Sequence, residues 1–281
     1  MQMQLIGKYM KKFFLSLALV ILSVSAFAQL SATAVSGRDG YFVGKGSYDL
    51  SFIPGLTIAP TAAIYKSDSM EDDMYQVGLK VEAKVPLWDA VKVGVQGGYT
   101  PKRNYYSNYF YEGYAKVNLE SLLFHIVELD NLTLGAGARQ TEHKFYGPDY
   151  KVGETDGYVS LGGRKGGFDG SVTYTKALHF SDNRGASAPA WLDIPGFTAV
   201  TGGYLKYAVG ANLGYTYHIV RPYVNYTYLK RYELPTTDNL AAGVTVKVGI
   251  IAVNAAVEWF DVSNKNHERQ TFYSVNGGIS F

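Results

Sequence analysis

Within the stretch HFSDNRGASAPAWLDIPGFT (residues 179–198), His179, Ser181 and Asp193 have the side-chain types that nucleophilic catalysis needs. A histidine takes the serine proton as general base, and an acid orients the imidazole. A second set of residues could act by charge alone. Lys80, Glu82, Lys84, Lys92, Glu112, Lys116, Arg139, Arg164, Asp169, Lys206, Lys247 and Glu258 all fall on the polar side of an alternating pattern. A period of two puts such residues on one face of extended strands. Bases outnumber acids in this set, and a wet lumen lined this way favours anionic or neutral polar solutes. If the charges pair with one another, they fill the space instead. Metal and thiol chemistry find no support. The chain has no Cys, and His125, His143, His179, His218 and His267 lack metal-ligand spacing. No cofactor and no metal are expected.

The elements that must position these residues are strands. In NLAAGVTVKVGI the apolar Leu240, Ala242, Val244, Val246 and Val248 alternate with Gly243, Thr245 and Lys247. In YQVGLKVEAKV, Tyr75, Val77, Leu79, Val81 and Val85 oppose Gln76, Lys80, Glu82 and Lys84. YLKYAVGANLGYTY, VKVGVQGGYT, IAVNAAVEWF and TFYSVNGGISF repeat the scheme. Connections divide into short ones (PLWDAV, GRKGGFDG, HIVRPY, VGII) and longer polar ones (KSDSMEDD, PKRNYYSN, YGPDYKVGE, LPTTDN, NKNHERQ). About 12 long antiparallel strands fit between Leu56 and Phe281, and an even count brings both ends of the sheet to one side. A soluble sandwich also alternates, but its second face would be rich in charge. Here that face carries Gly, Ser, Thr, Asn and Tyr with isolated charges, as in a single transmembrane up-and-down β-barrel with lipid outside and water inside. Tyr99, Tyr109, Tyr111, Tyr215, Tyr217, Tyr226, Tyr228 and Trp259 stand near strand ends on the apolar face, where amphipathic rings meet headgroups.

Residues 1–28 read as a secretory signal peptide: Lys11 and Lys12, an apolar run, then Ala26-Phe27-Ala28, with Met10 as an alternative start. The run from Phe13 to Val24 is too short for a membrane helix. Residues 29–55 form a lead-in, a lumenal plug or a first strand, and residues 56–281 the barrel. The formal charge of +2 comes from three lysines in the leader, and without them acids exceed bases by one. Nucleic acid is therefore excluded as an expected partner.

The chain ends on alternating Tyr273, Val275, Ile279 and Phe281. This ending resembles the C-terminal signal by which bacterial outer-membrane proteins engage the barrel-assembly machinery. Asn276 stands where that signal carries Gly, with Gly277 and Gly278 following. The resemblance implies the porin-like class of outer-membrane β-barrels in a Gram-negative bacterium, with lipid, lipopolysaccharide and the assembly machinery as partners. The pair His179 and Ser181 resembles the site of outer-membrane phospholipase A, also a barrel. That family follows its Ser with Asn-Gly and uses an Asn as third member, whereas Asp182 and Asp193 stand here.

The expected function is a small passive pore for polar or anionic solutes. One alternative is a structural or accessory barrel docked to an envelope protein partner in a larger outer-membrane complex. A second is a phospholipase-like hydrolase.

Overall fold

The computed structural model describes residues 28–36, 42–66, 73–86, 88–103, 106–119, 130–146, 150–181, 204–232, 236–262 and 270–280. Fourteen strands follow one another: β1 (Ala28–Ser36), β2 (Phe42–Ile53), β3 (Leu56–Lys66), β4 (Met74–Val85), β5 (Trp88–Arg103), β6 (Tyr106–Asn118), β7 (Asn131–Phe145), β8 (Tyr150–Lys165), β9 (Phe168–Phe180), β10 (Leu205–Tyr215), β11 (Val220–Arg231), β12 (Thr237–Val248), β13 (Ile251–Val262) and β14 (Gln270–Ser280). Each pairs antiparallel with the next, and β1 pairs with β14, so the sheet closes into a barrel. The closing seam runs from Gln29 opposite Ser280 to Ser36 opposite Tyr273.

The count is fourteen rather than about 12, and the two further strands come from residues 28–53. The outward positions Leu30, Ala32 and Ala34 of β1 are mostly small, and β2 sets Gly44 and Gly46 between the outward Phe42 and Tyr48. The run of large apolar residues that marks the other strands is absent from β1 and is interrupted by the two glycines in β2, so the alternation is faint there. Two connections are also shorter than the polar composition suggests. In PKRNYYSN, β5 runs on to Arg103 and β6 begins at Tyr106; in YGPDYKVGE, β8 begins at Tyr150.

One end of the barrel carries the start of β1, the end of β14 and tight hairpins. Gly55 (φ 80°), Gly166 (φ 56°) and Gly249 (φ 58°) occupy the left-handed region there. Two-residue hairpins need such conformations, and glycine adopts them without a Cβ clash. The opposite end holds most of the longer connections; the β6–β7 connection, at the hairpin end, is the exception.

Burial is inverted relative to a water-soluble protein. Val95 is 60% exposed, Leu161 50% and Val275 56%, while Glu112 is 8% and Glu258 1% exposed. Apolar residues on the outside and charged ones within are what a strand needs between lipid and a polar lumen. Val159→Arg is expected to destabilise the barrel in lipid vesicles by about 2–4 kcal/mol if it lies near the bilayer midplane. Its inward neighbour Ser160→Ala should stay within about 0.5 kcal/mol of the parent. Urea unfolding from vesicles reads both, and equal sensitivity would contradict a lipid-facing Val159.

Candidate functional site

The register of β4–β8 builds two transverse rows on the inner wall. In the first, Lys80 lies opposite Gln96, Gln96 opposite Glu112, Glu112 opposite Arg139, and Arg139 opposite Asp156. Glu112 is its hub. Its Oε2 accepts from Gln96 Nε2 (2.7 Å), Arg139 Nε (2.8 Å) and Arg139 Nη2 (2.7 Å), and its Oε1 accepts from the Tyr158 hydroxyl (2.8 Å). In the second row Lys84 faces Lys92, and Lys92 faces Lys116. Like charges directly opposite on neighbouring strands repel. Glu82 offsets part of that repulsion: it lies 3.6 Å from Lys92 and 3.8 Å from both Lys80 and Lys116, and it accepts the Tyr114 hydroxyl at 3.0 Å. One carboxylate thus serves three ammonium groups.

The tyrosines reach these carboxylates because glycines stand opposite them. Gly94 faces Tyr114, and Gly137 faces Tyr158. A Cβ at Gly94 would come within 2.2 Å of the Tyr114 ring, and one at Gly137 within 2.6 Å of the Tyr158 ring. The rings lie flat over the bare backbone, which holds each hydroxyl in place.

The wall formed by β9–β13 is polar as well. Arg221 makes a two-pronged pair with Asp169, through Nε to Oδ1 (2.8 Å) and Nη2 to Oδ2, and also donates to Asn212 (3.1 Å). Tyr223 donates to Asn254 (2.9 Å), and Asn239 to Glu258 (3.3 Å). Polar cavities of about 620, 280 and 200 Å³ lie along the interior. Near the end with the longer connections, Met74, Tyr106, Phe145, Val152 and Tyr204 form a buried cluster against Tyr65 and Tyr232. These come from β3, β4, β6, β7, β8 and the residues that flank β10 and β11.

The remaining sequence candidates fall in various places. Arg164 is exposed beside the Gly166 turn, where its Nε reaches the Gly166 carbonyl at 3.4 Å. Lys84 and Lys247 are exposed. Lys206 differs from the alternation. A bulge between Leu205 and Tyr207 resets the register, so Leu205 is buried (1% exposed) and Lys206 is exposed. The Lys206 ammonium lies 5.9 Å from the Tyr232 ring centre. His179 is exposed opposite Thr155, and the Ser181 hydroxyl accepts the Gly153 N–H at 2.7 Å, extending the β8–β9 ladder. Asp193 and Phe281 lie outside the described residues. Tyr273 is 62% exposed, and Ile279 pairs with Leu30 and Ile251.

Sequence reasoning passed over Arg221, Gln96, Tyr114, Tyr158, Glu154 and Asp156. Gln96 falls on the polar side of VKVGVQGGYT, and nothing in that alternation marks it as a ligand of Glu112. Arg221 falls within the short connection HIVRPY, and Glu154 within the longer YGPDYKVGE. Parity carried through those segments would have found them.

Arg139→Met is expected to cost about 3 kcal/mol, because it strips the cation from a mostly buried carboxylate. Adding Glu112→Gln should recover part of that loss, whereas simply additive losses in a double-mutant cycle would contradict the pairing.

No protein-family model matches the chain, and no curated protein matches it. Among solved structures it is similar to OccK3 (OpdO) of Pseudomonas aeruginosa, at 12% identity and a TM-score of 0.50, over 91% of this chain and 77% of that one. It is also similar to the CymD monoaromatic hydrocarbon channel (12% identity, TM-score 0.47, 92% and 90% of the two chains). A third is a KdgM porin (11% identity, TM-score 0.41, 90% and 99%). At such identities the likeness is one of fold, and the chain has the fold of the outer-membrane β-barrels of the porin-like class.

Proposed function

We propose that the barrel is a passive outer-membrane pore for small polar solutes that favours anions. The observation that carries this reading is the row Lys84–Lys92–Lys116, in which, among the described residues, Glu82 is the carboxylate within 4 Å of Lys92 and Lys116. Side chains of Lys92 and Lys116 remain 46% and 50% exposed, so their charge is offered to the lumen rather than consumed by pairing. A concentrated positive field in a narrow aqueous space raises the local concentration of anions. In this reading the exposed apolar wall meets membrane lipid and lipopolysaccharide. The longer connections face outward from the cell, and the last strand is what the assembly machinery grips.

A second reading is favoured by one observation. Met74, Tyr106, Phe145, Val152 and Tyr204 cluster inside the barrel near one end, an arrangement that would suit a closed accessory barrel. Planar-bilayer recording separates the two. A conducting pore whose reversal potential in a KCl gradient shows chloride preference supports the proposal. Replacing Lys84, Lys92 and Lys116 by Gln should then move that potential towards zero. An absence of conductance would favour the accessory barrel, and cation preference would overturn the role of the lysine row.

A further inference from the structure

On the inner wall, between the aromatic cluster and the lysine row, the charge changes sign. Glu154 and Asp156 stand two apart on β8 and face inward together. Both are buried, at 2% and 9% exposed. A buried carboxylate is costly unless a cation or several N–H donors attend it. Among the described residues, neither acid has a cation of its own. Arg139 is opposite Asp156 in the ladder, yet its Nε and Nη2 both go to Glu112, at 2.8 and 2.7 Å. The guanidinium also lies 4.5 Å from the Phe110 ring centre, which fixes it there.

His143 does not supply the missing charge. Asn108 Nδ2 donates to the Tyr106 hydroxyl (2.9 Å), so that hydroxyl directs its own hydrogen to His143 Nδ1, 2.7 Å away. His143 Nδ1 is then an acceptor and the ring is the neutral Nε2–H tautomer. Its Nε2 lies 3.4 Å from Glu154 Oε2. The other Glu154 oxygen accepts the Leu205 N–H at 3.0 Å. Asp156 Oδ1 is buried and has no hydrogen-bond partner among the described residues. Both acids line the cavity of about 620 Å³, together with Thr173 and Thr175.

We infer that Glu154 and Asp156 form a binding site for an organic ammonium group inside the barrel. Such a group brings one positive charge and several N–H donors. It would offset the two carboxylates and fill the vacant acceptor on Asp156. Among the described residues no three of His, Asp and Glu are grouped as a metal ion would need, which favours a cation carrying its own donors. The same cavity is lined by Lys116 at its basic side. A solute with an ammonium at one end and an anionic group at the other therefore matches the polarity of the wall. The site does not depend on whether the barrel conducts.

The test is titration calorimetry of the purified barrel in detergent at about pH 8, with n-propylammonium against its neutral counterpart 1-propanol. Saturable binding of propylammonium and none of 1-propanol is expected. The double variant Glu154→Gln/Asp156→Asn should weaken binding about tenfold or more, and Asp156→Asn alone should weaken it less. If the double variant fails to fold, the single variant and the comparison of the two probes still decide. Equal heats for both probes, or undiminished binding in a folded variant, would overturn the site and mean that the acids hold their own protons. Conductance of the same preparation is read separately. Current without ammonium binding removes this site and leaves the pore, and binding without current does the reverse.

Discussion

A backbone amide has no partner inside a hydrocarbon layer except another part of the same chain. A sheet that crosses such a layer cannot keep an edge, and the rest of this structure follows from that constraint. The pairing of β1 with β14 removes both edges. Closure then divides every strand into an outward and an inward set of side chains, with no third environment available. The outward set carries residues such as Val95, Leu161 and Val275, and the inward set carries nearly all of the chemistry. The two apolar sheet faces that would make a core in a sandwich have here become a single outer wall.

Inside, the same closure brings residues from distant parts of the chain into one small space, and the polar groups must satisfy one another. Glu112 gathers donors from three other strands, and Glu82 gathers three lysines and a tyrosine. These contacts run across strands, row by row, because cross-strand neighbours are the units of a sheet. The balance within the rows is uneven. Around Glu82 the bases are in excess; around Glu154 and Asp156 the acids are. A fold that needed only stability would pair such charges one to one, since unpaired buried charge is expensive. In the proposed reading, the surplus at each place is the charge left to meet a solute.

Much of the fold could be read from the sequence, because large apolar residues flag the outer face of β4, β5, β12 and β13. Where those residues are small, as in β1, or broken by glycines, as at Gly44 and Gly46 of β2, the same physics left too weak a trace and the strand count fell short. The inward set was legible only as parity, and parity fails at irregularities. The bulge at the start of β10 exchanges Leu205 for Lys206. The partners of each charge were not legible at all, since they depend on register between strands far apart in sequence. Arg221 and Asp169 are joined across β10, an arrangement that no local pattern announces.

The central claim is that successive residues of one strand meet lipid and water in turn. Cysteine scanning along β5 in the reconstituted barrel tests it most directly, with Lys92→Cys, Val93→Cys, Val95→Cys and Gln96→Cys each challenged by a small water-soluble thiol reagent. Positions 92 and 96 should react readily, and positions 93 and 95 should be protected by the bilayer and become reactive only when lipid is replaced by denaturant. Uniform labelling of all four, or protection of the even positions with reaction of the odd ones, would contradict a wet lumen inside a lipid-facing wall.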